Sequence, residues 1–79
     1  MLKLSIFNME RFLETVNACK GEINMFYRDG KKVNISGNYT IQNELLEQYL
    51  KGKNYLRLVL DIPNSKDYMY IVSYYIGDC

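Results

Sequence analysis

Leu56, Leu58, Leu60 and Ile62 alternate with Arg57, Val59 and Asp61, and Leu2, Leu4 and Ile6 alternate with Lys3 and Ser5. A period of two turns each apolar side chain to one face of a strand and each polar one to the other. Strands of this kind build a sheet with one face to cover and one that meets water. The cover must come from segments of helical periodicity, and all of it must lie on one side. Phe7 breaks the pattern, falling on the otherwise polar side of the first strand.

Helical periodicity appears three times. Asn8 stands where an N-cap belongs, ahead of Met9, Phe12, Leu13, Val16 and Cys19 at helical spacing. Glu10 falls in the first turn, Lys20 is expected in the last, and Gly21 follows as the residue that ends the helix. After Gly37-Asn38, Thr40 is the expected cap of a second helix. It carries Ile41, Leu45, Tyr49 and Leu50 on one face, with Leu46 at the border and Glu44, Glu47 and Gln48 in solvent, and Gly52 ends it. Pro63 terminates the last strand. Tyr68, Ile71, Val72, Tyr75 and Ile76 then fit a helical stripe, although their aromatic and β-branched character also suits a strand. Pro63-Asn64-Ser65-Lys66-Asp67 is helix-start chemistry and favours the helix.

Between the first two helices, residues 22–36 read as a hairpin around Asp29-Gly30. A two-residue loop would place Ile23 and Met25 opposite polar partners. A three-residue loop, Arg28-Asp29-Gly30, pairs Met25 with Val33 and Ile23 with Ile35 and keeps one face apolar, with Gly30 in the left-handed position. The chain is therefore expected to be a single domain over residues 1–79. Its class is α+β: a two-layer open-faced β-sandwich of order βαββαβα, with a four-stranded antiparallel sheet and helices on one face.

Composition excludes more than it assigns. The 79 residues contain no histidine, which removes catalytic imidazole, phosphohistidine and His-ligated metal chemistry. Ten Lys and Arg against nine Asp and Glu leave a net charge of +1, so no electrostatic case exists for nucleic acid or for a polybasic membrane anchor. No apolar run approaches a membrane span, and Met1-Leu2-Lys3-Leu4 is too short for a signal core. The expectation is a soluble cytoplasmic protein with no cofactor and no membrane insertion. Cys19 and Cys79 stand far apart and are read as reduced thiols rather than a disulfide, Cys79 being open to adventitious cross-linking in air. A chain of this size buries only roughly 60–65% of its unfolded surface, and eight Tyr and three Phe add to that marginal core.

Few residues point to chemistry. Arg11 beside the amides of residues 8–10 could hold an anion at a helix start, although a solvated arginine is the simpler reading. Glu10 and Glu14 read as a solvated helix face rather than an acid–base pair. Cys19 reads as an inert thiol, since no histidine or accessible cationic setting activates it. No metal-ligand spacing exists, and the glycines at 21, 30, 37 and 52 separate elements rather than cradle a phosphate. The uncovered sheet face is more informative. Phe7, Phe26 and Val59 fall on it among Lys3, Ser5, Asn24, Asn34, Arg57 and Asp61, a composition suited to docking a protein partner or a second copy.

The order of elements, with Glu22-Ile23-Asn24-Met25 leading to Gly30-Lys31-Lys32-Val33-Asn34-Ile35-Ser36, resembles the histidine-containing phosphocarrier protein (HPr) family of the bacterial sugar phosphotransferase system. That family carries a similar Gly-Lys-x-Val-Asn-Leu run in its second hairpin strand. Its phosphate acceptor is a histidine in a Gly-Ile/Leu-His-Ala-Arg-Pro run at the start of the first helix. With Arg11 on the family's arginine, Met9 stands in place of the histidine and Phe12 in place of the proline. A thioether cannot accept a phosphoryl group, so the resemblance implies a non-enzymatic, regulatory or protein-binding relative with a degenerate site at Met9, Arg11 and Phe12. The family's regulatory serine begins the second helix. Here Gly37 aligns with it, and Ser36, one position early, is a possible phosphosite near a helix start. The contrasting expectation is a standalone dimerising or structural module unrelated to sugar transport.

Overall fold

The structure is a computed structural model that describes residues 2–77. Cys79 and the side chain of Ile76 lie outside the described residues. The elements run β1 (Leu2–Ile6), α1 (Met9–Ala18), β2 (Asn24–Phe26), β3 (Lys32–Asn34), α2 (Tyr39–Lys51), β4 (Leu56–Asp61) and α3 (Ser65–Gly77). The four strands form one antiparallel sheet in the order β1-β4-β2-β3. β4, the strand with the cleanest alternation, is central, and each of its inward-facing leucines has an apolar partner on β1: Leu60 opposite Leu2, Leu58 opposite Leu4 and Leu56 opposite Ile6.

The apolar sides of the four strands merge into one core with the helices. Leu4, Ile6, Ile23, Met25, Ile35, Leu58, Leu60 and Ile62 from the sheet side are buried with Met9, Phe12 and Val16 of α1, Leu45 of α2 and Ile71 of α3. This is the open-faced two-layer sandwich that one-sided alternation demands. The hairpin has the three-residue loop: Met25 faces Val33, the Ile35 amide donates to the Ile23 carbonyl and the Tyr27 amide donates to the Lys31 carbonyl. Gly30 has φ +89° at the loop's end, a conformation that costs a residue with a Cβ.

Several helix ends and faces differ from expectation. α1 stops at Ala18 with Cys19 as its cap, so Lys20 is not in a last helical turn. Instead the Lys20 and Gly21 amides donate to Oδ1 and Oδ2 of Asp67, at 3.2 and 2.7 Å. Asn38 rather than Thr40 caps α2, its side chain accepting from the Ile41 amide. Leu50 does not join the inward face of α2 and is 59% exposed, and Leu46 is exposed as well; Gln42 takes the inward place. Tyr68 likewise points outward, and α3 turns Asp67 and Ile71 inward instead. Within the Pro63–Asp67 helix-start segment it is Asn64 rather than Ser65 that starts α3, its Oδ1 accepting from the Lys66 and Asp67 amides. Asn24, assigned by alternation to the wet face, is buried between Asn34 and Asp61 of the neighbouring strands.

Asp67 is 6% exposed, and its two oxygens link the α1–β2 turn to α3. Asp67→Ala leaves two amides without that acceptor, and we expect it to lower the unfolding free energy by about 2 kcal/mol. Urea denaturation checks this; an unchanged midpoint would show that the clamp is dispensable.

Candidate functional site

The β1–α1 corner is where the family resemblance would put a phosphoryl acceptor. Met9 is 0% exposed and Phe12 is equally buried, so both belong to the core, while Arg11 is exposed. Asn8 caps the helix through Oδ1, which accepts from the Arg11 amide at 3.1 Å, and its carbonyl accepts from the Phe12 amide. Two tyrosine hydroxyls close the corner from the other helices. Tyr49 of α2 donates to the Phe7 carbonyl at 2.6 Å, and Tyr74 of α3 donates to the Asn8 carbonyl at 3.2 Å. The Tyr74 ring also packs on Phe12, with centroids 6.2 Å apart. The corner therefore presents an apolar floor, two engaged phenols and a guanidinium. Tyr49 and Tyr74 sit on apolar stripes, and periodicity alone reads them as filler; only their reach across the fold shows what the hydroxyls do.

Ser36 lies between β3 and the cap of α2, two residues before Asn38. Its amide donates to Asn34 Oδ1, which also accepts from the Ile23 amide. Gly37, at φ +67°, donates its amide to Asn17 Oδ1. Asn17 and Gln42 exchange hydrogen bonds at 3.1 and 2.7 Å, and Gln42 Nε2 also donates to the Ile35 carbonyl at 2.7 Å. This amide pair ties α1, α2 and the turn carrying Ser36 together, and it leaves no buried side-chain polar atom unpaired among the described residues. A polar residue one place from Ile41 and three from Leu45 was the available signal for Gln42: it lies inside the apolar stripe, and a buried polar group needs partners.

Cys19 is partly buried and donates its thiol to the Thr15 carbonyl at 3.4 Å. Burial, and secondarily the nearby Asp67 charge, push its pKa up from the ordinary value of 9.0 to about 11. A raised pKa keeps the nucleophilic thiolate scarce, in line with an inert thiol. Glu10 and Glu14 are both exposed, as a solvated helix face requires. Among the described residues no group of three or more His, Cys, Asp or Glu is arranged to hold a metal, and no helix is long and apolar enough to cross a membrane.

The uncovered face divides its apolar residues. Val59 stands opposite Lys3, and the β2/β4 register carried on by one residue places Phe26 beside it. Phe7 lies two residues beyond Ser5, about 13 Å along the strand from the Lys3–Val59 level. There it is 70% exposed and meets Tyr55 edge-on, at a centroid distance of 5.1 Å. Phe26 faces Lys32, which pairs with Asp61 at 3.4 Å. Val59 and Phe26 are thus close together, and Phe7 belongs to the α1 corner. At the end of the sandwich near the hairpin loop, the ends of β2 and β4 and the flank of α2 enclose a cleft of ≈ 190 Å³, with Arg28, Arg57 and Glu44 among its lining.

No family model matches the chain, and no curated protein or solved structure matches it either.

Cys19 provides a direct test of the local electrostatics. In a Cys79→Ser background at pH 8, we expect maleimide to label folded Cys19 about a hundredfold more slowly than the urea-unfolded chain. The folded rate should keep rising with pH toward about 11. A plateau near pH 9 would contradict the burial that raises the pKa.

Proposed function

We propose that this chain is a non-catalytic protein-binding module related to HPr, a regulatory relative that no longer carries phosphate. The observation that supports this reading best is the β1–α1 corner. A core methionine stands where the resemblance would put the acceptor, and the flanking carbonyls of Phe7 and Asn8 are held by Tyr49 and Tyr74. Phosphoryl transfer needs a nucleophile that can be deprotonated and reached, and a buried thioether is neither. The element order and one-sided cover are what the resemblance implies for the fold. Arg11 and Phe7 remain at the surface of the same corner and supply the exposed cation and aromatic on which protein recognition commonly turns. Ser36 is retained as the candidate phosphosite, on a turn already pinned to α1 through Gly37 and Asn17.

Incubation with phosphoenolpyruvate and the sugar phosphotransferase enzymes tests both halves of this reading. The intact mass should stay unchanged, while amide resonances around Phe7 and Arg11 should shift or broaden as the enzymes are added. A labile phosphate increment would overturn the non-catalytic assignment. Unperturbed resonances together with a dimeric mass by light scattering would replace it with a standalone dimerising module.

A further inference from the structure

β1 stands at one end of the strand order and pairs with β4 alone, so alternate amides and carbonyls on its outer edge have no strand to meet. The opposite edge is blunted by its length and polarity: β3 has three residues, and Lys32 and Asn34 are exposed on it. β1 is open by comparison. It runs for five residues without glycine, proline or a bulge, and Lys3 is its one charge.

An apolar flank adjoins this edge. α1 packs against both other helices, and α2 lies over the hairpin side of the sheet, where Gln42 donates to the Ile35 carbonyl. α3 therefore lies over the β1 side. Asp67 and Tyr74 turn toward α1, one accepting from the Lys20 and Gly21 amides and the other packing on Phe12. At about 100° per residue, Tyr68 and Val72 fall on the flank of α3 that faces away from α1. Tyr68 is 39% exposed and Val72 is half-buried, so a single chain leaves this part of the apolar stripe incompletely covered.

We propose that β1 pairs antiparallel with β1 of a second copy about a two-fold axis at Leu4, joining two four-stranded sheets into one. The strand is its own complement in this register. Leu4 faces Leu4 of the other copy, Leu2 faces Ile6, and on the wet side Lys3 faces Ser5, so all five residues pair and every apolar side chain meets another. Slipping by two residues in one direction sets Lys3 against Lys3. Slipping the other way sets Lys3 against Phe7, beyond the end of the strand. The two-fold interface is isologous and keeps the helices of both copies on one side of the joined sheet. Tyr68 and Val72 of each α3 then turn toward those of the other. Main-chain bonds supply the affinity, and the apolar flanks cover the seam. The pairing does not rest on the phosphotransferase reading, and a corner that ignores those enzymes leaves it intact.

Light scattering of the full chain up to millimolar concentration, with amide spectra at each step, tests the pairing. The mass is expected to rise from one chain to two, with accompanying shifts centred on residues 2–6, Tyr68 and Val72. Lys3→Cys and Ser5→Cys, each in a Cys79→Ser background, read the register. Directly opposed residues stand about 4.5–5.5 Å apart at Cα, within disulfide reach. Under mild oxidation the two variants are expected to cross-link when mixed and not when alone, because equal positions lie on a diagonal about 7–8 Å long. A monomer at every concentration would overturn the proposal. So would shifts centred on Phe26 and Val59 or on Leu46 and Leu50, or cross-linking of a single variant in place of the mixture.

Discussion

Everything in this molecule depends on the one-sided burial of its central strand. β4 pairs with β1 from Leu56 to Leu60 and for two residues with β2, and it sends Leu58 and Leu60 into the core with Ile62 just beyond its end. With the other face uncovered, α1, α2 and α3 must share the same apolar layer, and each contributes at least one fully or nearly buried residue to it. Hydrophobic burial sets this arrangement, because it rewards area removed from water without regard to direction. The polar bonds then fix the details. Asp67 joins α3 to the α1–β2 turn, the Asn17–Gln42 pair joins α1 to α2, and the two tyrosines join α2 and α3 to the β1–α1 corner.

That layering has a consequence for function. A helix start becomes reactive when it offers unpaired amides and a side chain able to carry charge or a proton. At α1 the cap is satisfied by Asn8 and the first residue, Met9, is drawn into the core. What remains outside at this corner is the guanidinium of Arg11 and the ring of Phe7. Binding rather than bond-making is what we propose for it.

Most of the fold was legible in the sequence because its strands alternate and its helices carry their own start signals. The hairpin register followed from pairing Met25 with Val33, and α3 followed from Asn64 and Asp67 despite its β-branched and aromatic content. Illegible features depend on how a turn closes or on long-range partners. Asn38 outranks Thr40 as a cap because the turn set by Gly37 brings its side chain to the Ile41 amide. Leu50 faces out and Gln42 faces in because the helix is rotated to let Gln42 reach Ile35 and Asn17. Asp67 read as first-turn decoration, yet it ends α1 from 46 residues away in sequence. Of the candidate site residues, exposure divides Arg11 and Phe7 from Met9 and Phe12, which the apolar stripe of α1 had already marked as core. The cleft could not be read at all, since it arises where β2 and β4 stop pairing.

The burial of Met9 at the start of α1 is open to one direct measurement. Mild peroxide oxidation with peptide mapping compares it with Met69, which is 60% exposed on α3. Sulfoxide should form at Met69 while Met9 stays protected until the protein unfolds. Oxidation of both at the same rate in the folded protein would mean that the corner is open to solvent, contradicting the sealed helix start.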